Sequence, residues 1–296
     1  MMFNTKNNYI RTSGSGKDWQ VTIDPLPTRV SNYFVESCRA AEEIYDLKQG
    51  KVHIMYSGGI DSEHTLNVFS HLGMDVTPVI IKLNPGHNDH DTAYAFKFCE
   101  SKNIQPLVID IDFDHFVKSG KLFEIQQVIK TSKIARTWFA YAAEQLSGTV
   151  IFGDGEPHII KHPTTDDWYF DLYEYEFTVP NYFQLKGIHG VANGFSCYTP
   201  SQMASFLIDP CMKQLASNQI PNEYESSSIK HIVYNRHSNF NLETRPKYYG
   251  YENLDSSTLA QEAADEMTKI NEAGKMWEGK FYRDYRKITK DIGYDD

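Results

Sequence analysis

Apolar residues follow two different spacings between residues 31 and 152. Short apolar runs are typical of buried strands, and apolar residues three or four positions apart are typical of amphipathic helices. The runs predict strands at 52–56, 76–83, 106–111 and 149–152. The wider spacing predicts helices at 31–48, 62–73, 89–102, 113–130 and 132–146. Strands separated by helices favour a parallel sheet, so we expect an α/β fold with helices on both faces of the sheet.

The pattern changes after residue 155. Segments 157–162 and 168–177 are extended and aromatic, which predicts a β-hairpin, and segments 200–217 and 256–290 have helical spacing. We therefore expect three parts: an N-terminal arm and helix over 1–48, a sheet domain over 49–156, and a hairpin and helical C-terminal extension over 157–296 that packs on that domain. The hairpin region carries a band of aromatic side chains, which either packs against the sheet or lines a substrate pocket. Its members are Trp168, Tyr169, Phe170, Tyr173, Tyr175, Phe177, Tyr182 and Phe183.

Composition narrows the class of protein. The chain has 296 residues, of which 41% are hydrophobic and 23% charged, as in globular proteins. No run of eighteen apolar residues predicts a membrane span, and residues 1–6 lack the apolar core of a signal peptide. The net charge of −10 makes nucleic acid an unlikely partner. Four cysteines without a C-x-x-C pair indicate free thiols in a reducing compartment, so we expect a cytoplasmic protein.

The most informative motif is Ser57-Gly58-Gly59-Ile60-Asp61-Ser62, between the first predicted strand of the sheet and the helix that follows it. Backbone N–H groups converge at such a helix N-terminus, and the helix dipole favours an anion there. The two glycines allow the backbone to approach a phosphate closely. Ser57 and Ser62 add hydroxyl donors, and Asp61 can hold a divalent cation.

This motif resembles the PP-loop signature, Ser-Gly-Gly-x-Asp-Ser, of the ATP pyrophosphatases. The resemblance implies a Rossmann-like PP-loop fold (the HUP class), ATP and Mg²⁺ as cofactors, and residues 57–62 as the pyrophosphate-binding loop with Asp61 as a metal ligand and catalytic residue. The resemblance covers about residues 50–160, close to a third of the chain.

A second element, Gly153-Asp154-Gly155-Glu156, follows the fourth predicted strand. It is similar to the Gly-Glu-Gly-x-Asp-Glu element of asparagine synthetases and β-lactam synthetases, in which backbone and acids approach the nucleotide and its metal. Asp154 matches the first acid of that element, and the later aspartate falls on Pro157. Gly153, Asp154 and Gly155 are thus predicted to bind ATP. The second metal ligand is Glu156 or Asp154, and we favour Glu156.

Positive charge must meet the leaving pyrophosphate. Arg136, in an Ala-Arg pair similar to one in NAD synthetases and some tRNA thiolases, is one candidate catalytic residue. In these families a basic residue late in the chain commonly adds charge, and here Lys247 is favoured because Pro246 stiffens the segment around it. Lys161 and Lys186 are the other candidates.

The resemblance implies a ligase closest to the synthetase domain of asparagine synthetases. It would adenylate a small substrate, such as a carboxylate, release pyrophosphate, and transfer the activated group to a nitrogen nucleophile. We expect no glutaminase domain, since about fifty residues precede the loop and the first cysteine, Cys38, lies in a helical pattern. The nitrogen would come from ammonia, a separate ammonia-donating partner, or an amine. The alternatives are a PP-loop enzyme that modifies tRNA or nucleobases, and a non-catalytic nucleotide-binding protein.

Overall fold

The structure is a computed structural model that describes residues 9–11, 19–21, 26, 29–131, 133–154, 156–174, 178–246, 252–254, 258–272 and 280–294. Its strands are β1 (Tyr9–Arg11), β2 (Trp19–Val21), β3 (Val52–Met55), β4 (Val76–Asn84), β5 (Leu107–Asp112), β6 (Thr149–Phe152), β7 (His158–Lys161), β8 (Trp168–Tyr173), β9 (His189–Val191) and β10 (Lys280–Asp284). Its α-helices are α1 (Tyr33–Asp46), α2 (Ile60–His71), α3 (Asp89–Ser101), α4 (Phe113–Lys118), α5 (Lys121–Ile129), α6 (Ile134–Glu144), α7 (Val179–Lys186), α8 (Pro200–Leu207), α9 (Pro210–Ala216), α10 (Lys230–Asn235), α11 (Thr258–Glu272) and α12 (Tyr285–Asp291).

The main sheet has five strands in the order β5-β4-β3-β6-β9, and every neighbouring pair is parallel. Successive residues of each strand point to opposite faces, so each strand supplies two separate cores. Ile54 packs with one set of helices and Met55 with the other, and the same alternation separates Ile80 from Ile81.

Helices cover both faces of this sheet. Residues of α1, α2 and α3 bury apolar side chains against one face. Residues of α4, α5, α6, α7 and α11 do so against the other. The predicted α/β class, with a parallel sheet between two helical layers, is confirmed.

A smaller antiparallel sheet, in the order β10-β8-β7, lies beside a third apolar core built with α8, α9, α10 and α12. The predicted hairpin is its β7–β8 pair. Trp168 and Phe170 of the aromatic band are buried in this third core, whereas Tyr182 and Phe183 are buried against the main sheet. Tyr175 and Phe177 lie outside the described residues.

Two features of the C-terminal part differ from the prediction. The helical prediction over 256–290 holds for α11 and α12 but is wrong for Lys280–Asp284, which is a strand that pairs with β8. Its aromatic pair, Phe281 and Tyr282, suits a strand better than a helix. The fifth parallel strand, β9, was not predicted, because three residues are too few to establish a period.

No helix within the described part of the chain is long and apolar enough to cross a membrane. The domain boundaries at 48/49 and 156/157 stay predictions. The fifth strand of the main sheet lies beyond the second of these boundaries.

Candidate functional site

The Ser57–Ser62 loop lies at the point where the strand order of the main sheet reverses. From β3 the chain proceeds outward to β4 and β5, then returns to place β6 and β9 on the other side of β3. Loops that leave β3 and β6 therefore diverge and open a crevice at the carboxyl end of the sheet. Ligands of open α/β sheets bind in crevices of this kind. The predicted phosphate loop and the Gly153–Glu156 element flank this crevice.

The loop is shaped by Gly58 and by its own serine hydroxyls. Gly58 has a φ of 90°, and a Cβ atom there would lie 2.7 Å from the backbone nitrogen of Ala95 in α3. The N–H of Gly59 donates to Ser57 Oγ at 3.2 Å, and Ser62 Oγ donates to the carbonyl of Gly59 at 3.0 Å. Gly59 is the N-cap of α2 and offers no side-chain acceptor to the first turn. The first-turn N–H groups, which have no partner within the helix, are thus available to an anion.

Gly153 joins the two loops. A Cβ atom at Gly153 would lie 2.6 Å from Ser62 Cα, so only glycine lets the end of β6 pack this closely on the first turn of α2. This contact brings Asp154 and Glu156 beside the phosphate loop. Gly155 lies outside the described residues.

Asp61 and Glu156 meet on a single ammonium group, which the sequence did not predict. Lys230 Nζ, at the start of α10, donates to Asp61 Oδ2 at 2.5 Å and to Glu156 Oε1 at 2.8 Å. Tyr234 donates its hydroxyl hydrogen to Asp61 Oδ1 at 2.6 Å. The side chains of Lys230, Asp61 and Glu156 are at most 20% exposed. Both oxygens of Asp61 are therefore fixed by α10.

This buried cluster carries one more negative charge than positive charge when all three groups are ionised. Burial alone would lower the pKa of Lys230, but the charges of Asp61 and Glu156 raise it above its usual value. Burial and the nearby charge of Asp61 raise the pKa of Glu156, and Lys230 only partly opposes them. The excess charge favours either a proton or a second cation between the two carboxylates.

The two carboxylates fit a magnesium ion. Mg²⁺ prefers oxygen ligands and is commonly held by one or two carboxylates together with substrate phosphates and water. Asp61 and Glu156 supply two such groups beside the N-terminus of α2. Within the described ranges, no group of three or more His, Cys, Asp or Glu residues forms a complete metal site from protein alone.

Arg136 and Asp154 are also brought together. Arg136 Nη1 lies 2.6 Å from Asp154 Oδ2, and the arginine side chain is 14% exposed. The other oxygen, Asp154 Oδ1, is buried without a hydrogen-bond partner in the described structure. Arg136 thus balances the charge of Asp154 in the element that follows β6, and its catalytic role stays a prediction.

The lysines predicted as candidate catalytic residues lie in different places. Lys247 lies outside the described residues. Lys161 pairs with the exposed Asp166 at the hairpin loop, and Lys186 pairs with Glu144 on α6. Lys230 is the described lysine that reaches the loop. Its spacing of four from Tyr234, which places both on one side of α10, was the available signal, but six residues are too few for periodicity to mark a helix.

Arg245 is a second residue that the sequence did not single out. Its guanidinium donates to the carbonyl oxygen of Gly58 and to Glu63 Oε2, and its Cζ lies 5.5 Å from the ring centroid of Tyr94. Tyr56 donates to the same Glu63 oxygen at 3.1 Å. Arg245 therefore fastens the phosphate loop to the segment that precedes Lys247.

Three stacked rings connect α10 to the helices of the main domain. The rings of Tyr33 in α1, His64 in α2 and Tyr234 in α10 form a triangle, with centroids 5.3 Å apart for Tyr33–His64, 4.4 Å for His64–Tyr234 and 5.5 Å for Tyr33–Tyr234. Complete burial lowers the pKa of His64 to about 3, so the ring is neutral. A neutral imidazole packs against both tyrosines without a charge to desolvate, and this ring cluster holds the hydroxyl of Tyr234 against Asp61.

His158 links the hairpin to the segment that leads into α10. Its Nδ1 lies 2.5 Å from Asp171 Oδ1, and its Nε2 lies 3.4 Å from Glu225 Oε2. Burial alone would lower the pKa of His158, but hydrogen bonds to Asp171 and Glu225 raise it to about 10. The imidazolium therefore carries its charge at neutral pH.

We expect the charge of His158 to stabilise the fold between neutral and mildly alkaline pH. The folded-state pKa of about 10 exceeds the unfolded value near 6.5, so the contribution is complete below pH 6.5 and is lost as pH rises toward 10. Over that window the free energy of unfolding should fall by about 4 kcal/mol more in the wild type than in His158→Gln. Urea unfolding at several pH values measures this difference, and equal slopes for the two proteins would rule the ion pairs out as a source of stability.

Two cavities open on the loop. The first, about 240 Å³, has a largely apolar wall and the phosphate loop as its polar end. That wall consists of Met55, Val79, Ile81, Trp138, Phe139 and Phe152. An aromatic and aliphatic wall ending at an uncapped helix N-terminus suits a planar base joined to phosphates.

A scan of the chain against models of known protein families finds no match, and a search of curated proteins finds no relative. Among solved structures, the chain is similar to an NH3-dependent NAD synthetase from Campylobacter jejuni, whose structure was determined in complex with nitrate ion. The match has 16% sequence identity and a TM-score of 0.34, and covers 82% of this chain and 95% of that one. A likeness at this level is loose and assigns no role to any residue of this chain.

Proposed function

We propose that the protein is an AMP-forming ligase of the ATP pyrophosphatase type. It would adenylate an oxygen of a small substrate, most simply a carboxylate, and release pyrophosphate. A nitrogen nucleophile would then displace AMP and form an amide, as in the synthetase domain of asparagine synthetases. The observation that carries this proposal is the meeting of Asp61, Glu156 and Lys230 at the uncapped N-terminus of α2.

The chain's own groups support a positioning role in this reaction. The first turn of α2, with Ser57 and Ser62, would bind the β- and γ-phosphates, and the apolar cavity would bind adenosine. Fixed donors of this kind stabilise charge that develops in a transition state without having to reorganise. Asp61 and Glu156 would hold Mg²⁺, which when bound screens the negative charge of the phosphate oxygens.

Lys230 takes the role expected of a late basic residue. Its ammonium group neutralises part of the charge of Asp61 and Glu156. A cation arriving with ATP would compete for the same carboxylates and leave the ammonium group available to a phosphate oxygen. Arg136, which pairs with Asp154, would add a second positive charge with the planar geometry that suits a phosphate.

The proposed cofactors are ATP and Mg²⁺, and the proposed nitrogen source is ammonia, a separate ammonia-donating protein or an amine. The test incubates purified protein with ATP and Mg²⁺ against pools of carboxylic acids, nucleotides and RNA, and follows phosphorus products by ³¹P NMR. Pyrophosphate and AMP are the expected products. ADP and phosphate would contradict adenylation, and release that depends on RNA would favour the RNA-modifying alternative.

Asp61→Asn should reduce pyrophosphate release to the background of the assay, since it removes the charge of a proposed metal ligand while it keeps the size of the side chain. Ser70→Ala, on an exposed position of the same helix, is the matched control and should keep full activity. Turnover by Asp61→Asn at more than about one hundredth of the wild-type rate would exclude Asp61 as an essential ligand.

A further inference from the structure

The second cavity, about 480 Å³, also opens on the phosphate loop, and most of the residues that line it have polar or charged side chains. It is lined by the loop, by α3, and by two segments that arrive from the C-terminal part of the chain, around residues 225–231 and 244–246. Gly59, Asp61 and Asp91 line both cavities. A ligand in one cavity therefore meets a ligand in the other at these three residues.

Most of the charged side chains around the second cavity already have partners. Lys230 is shared between Asp61 and Glu156, and Arg245 is paired with Glu63. Glu225 lies against the charged ring of His158, at 3.4 Å. These pairs leave little positive charge to attract an anion into the cavity.

Asp91 is different. Its carboxylate has no hydrogen-bond or ion-pair partner among the described residues, although it lies in the first turn of α3, directly behind Gly58. Burial raises the pKa of Asp91 to about 6, with Glu252 adding to the shift and His90 and Arg245 opposing it. The group is therefore still ionised at neutral pH, and among the described residues that line the cavity it adds an unbalanced negative charge at the edge shared with the first cavity.

We propose that the second cavity binds a primary amine in its ammonium form, held by the carboxylate of Asp91. This inference rests on the proposed function, in which the amine is the nitrogen nucleophile. An unbalanced carboxylate in a partly buried cavity selects a cation over an anion. Asp91 lines both cavities, so the nitrogen would lie beside an activated group held in the first cavity. To attack that group the ammonium must first lose a proton, and the carboxylate of Asp91 is the base placed to accept it. Two kinds of ligand carry a primary ammonium group, a simple alkylamine and an amino acid.

The test measures binding without ATP by saturation-transfer difference NMR on the full chain, with ethylamine, β-alanine and propionate as probes. We expect ethylamine and β-alanine to bind and propionate not to bind. Tighter binding of ethylamine would indicate a simple amine as the ligand, and tighter binding of β-alanine would indicate an amino acid. Asp91→Asn should weaken amine binding about tenfold or more, the usual range for a charge-assisted hydrogen bond.

Asp89→Asn is the matched control. Asp89 lies two residues earlier in the same turn, is exposed, and is 3.8 Å from Lys82, so its removal should leave amine binding unchanged. Asp91→Glu should retain binding, which separates lost charge from lost folding. Binding of the amines by Asp91→Asn as tightly as by the wild type would overturn the proposal.

The two proposals fail separately. Amine binding requires no turnover, so a protein that binds ethylamine through Asp91 but releases no pyrophosphate would contradict only the proposed ligase. Pyrophosphate release by a protein that binds neither amine would contradict only the role of Asp91.

Discussion

Lys230→Met should slow pyrophosphate release by about 10²- to 10³-fold, the usual cost of one preorganised donor at a developing charge. Methionine keeps the length of the side chain and removes the charge that Asp61 and Glu156 share. The loss should appear in the rate at saturating ATP more than in the ATP concentration needed for half-saturation, because the proposed contact strengthens as pyrophosphate leaves. Single-turnover assays with Mg²⁺ and ATP measure the effect.

The substitution also leaves two buried carboxylates facing each other, so its effect on stability has to be measured alongside. A proton or Mg²⁺ can take the place of the ammonium group. The free energy of unfolding of the variant, measured with and without Mg²⁺, shows how much stability is lost and how much the metal restores. Lys161→Met, which removes a lysine paired with the exposed Asp166, is the control and should act like the wild type. If Lys230→Met lost stability but kept its rate of pyrophosphate release, Lys230 would be a structural residue only.

Gly58→Ala should abolish both ATP binding and pyrophosphate release. An added Cβ atom would lie 2.7 Å from the backbone nitrogen of Ala95, and backbone cannot yield as a side-chain end can. The alanine would also be held at a φ of 90°, outside the favoured regions for a residue with a side chain. Either α3 or the loop must shift, and a displacement of about 1 Å is enough to cost about 10²-fold in rate.

Gly73→Ala is the control that separates the cost of a positive φ from the cost of the steric clash in Gly58→Ala. Gly73 also has a positive φ, 68°, but an added Cβ atom there meets nothing within 4 Å. We expect Gly73→Ala to lose about 1–2 kcal/mol of stability, and Gly58→Ala to lose about 1–3 kcal/mol more because of overpacking. Calorimetric ATP titration and urea unfolding of both variants measure the difference. Equal losses in the two variants would mean that the contact between the loop and α3 is not tight.

The sheet could be predicted because its signals are local. Each of the four predicted parallel strands is a short apolar run bounded by turn residues, and each matches an observed strand within two residues. The strand β9 contributes only His189, Gly190 and Val191, whose burial depends on β6 and not on their own pattern. Likewise, β10 is a strand because it pairs with β8, which lies more than a hundred residues earlier.

The residues of the candidate site likewise fall into two groups: those that local sequence predicts and those that only the tertiary fold brings to the loop. Residues 57–62, Asp154 and Glu156 are marked by glycines at strand ends, which local sequence reveals. Lys230, Tyr234 and Arg245 come from short, mixed segments without periodicity, and only the tertiary fold brings them to the loop. The predicted late basic residue is Lys247, two residues after Arg245. The lysine that the described structure has at the loop is Lys230.

The aromatic stack on His64 has a consequence for stability. Tyr33, His64 and Tyr234 come from three segments separated by about thirty and a hundred and seventy residues, yet together they determine where Asp61 points. A partly folded chain with an intact sheet but an undocked α10 would have the phosphate loop without its orienting partners. A nucleotide that requires a docked α10 would bind the native state and not this partly folded state, so its binding free energy would be lost whenever α10 undocks. Resistance to proteolysis should therefore increase as the nucleotide concentration approaches saturation.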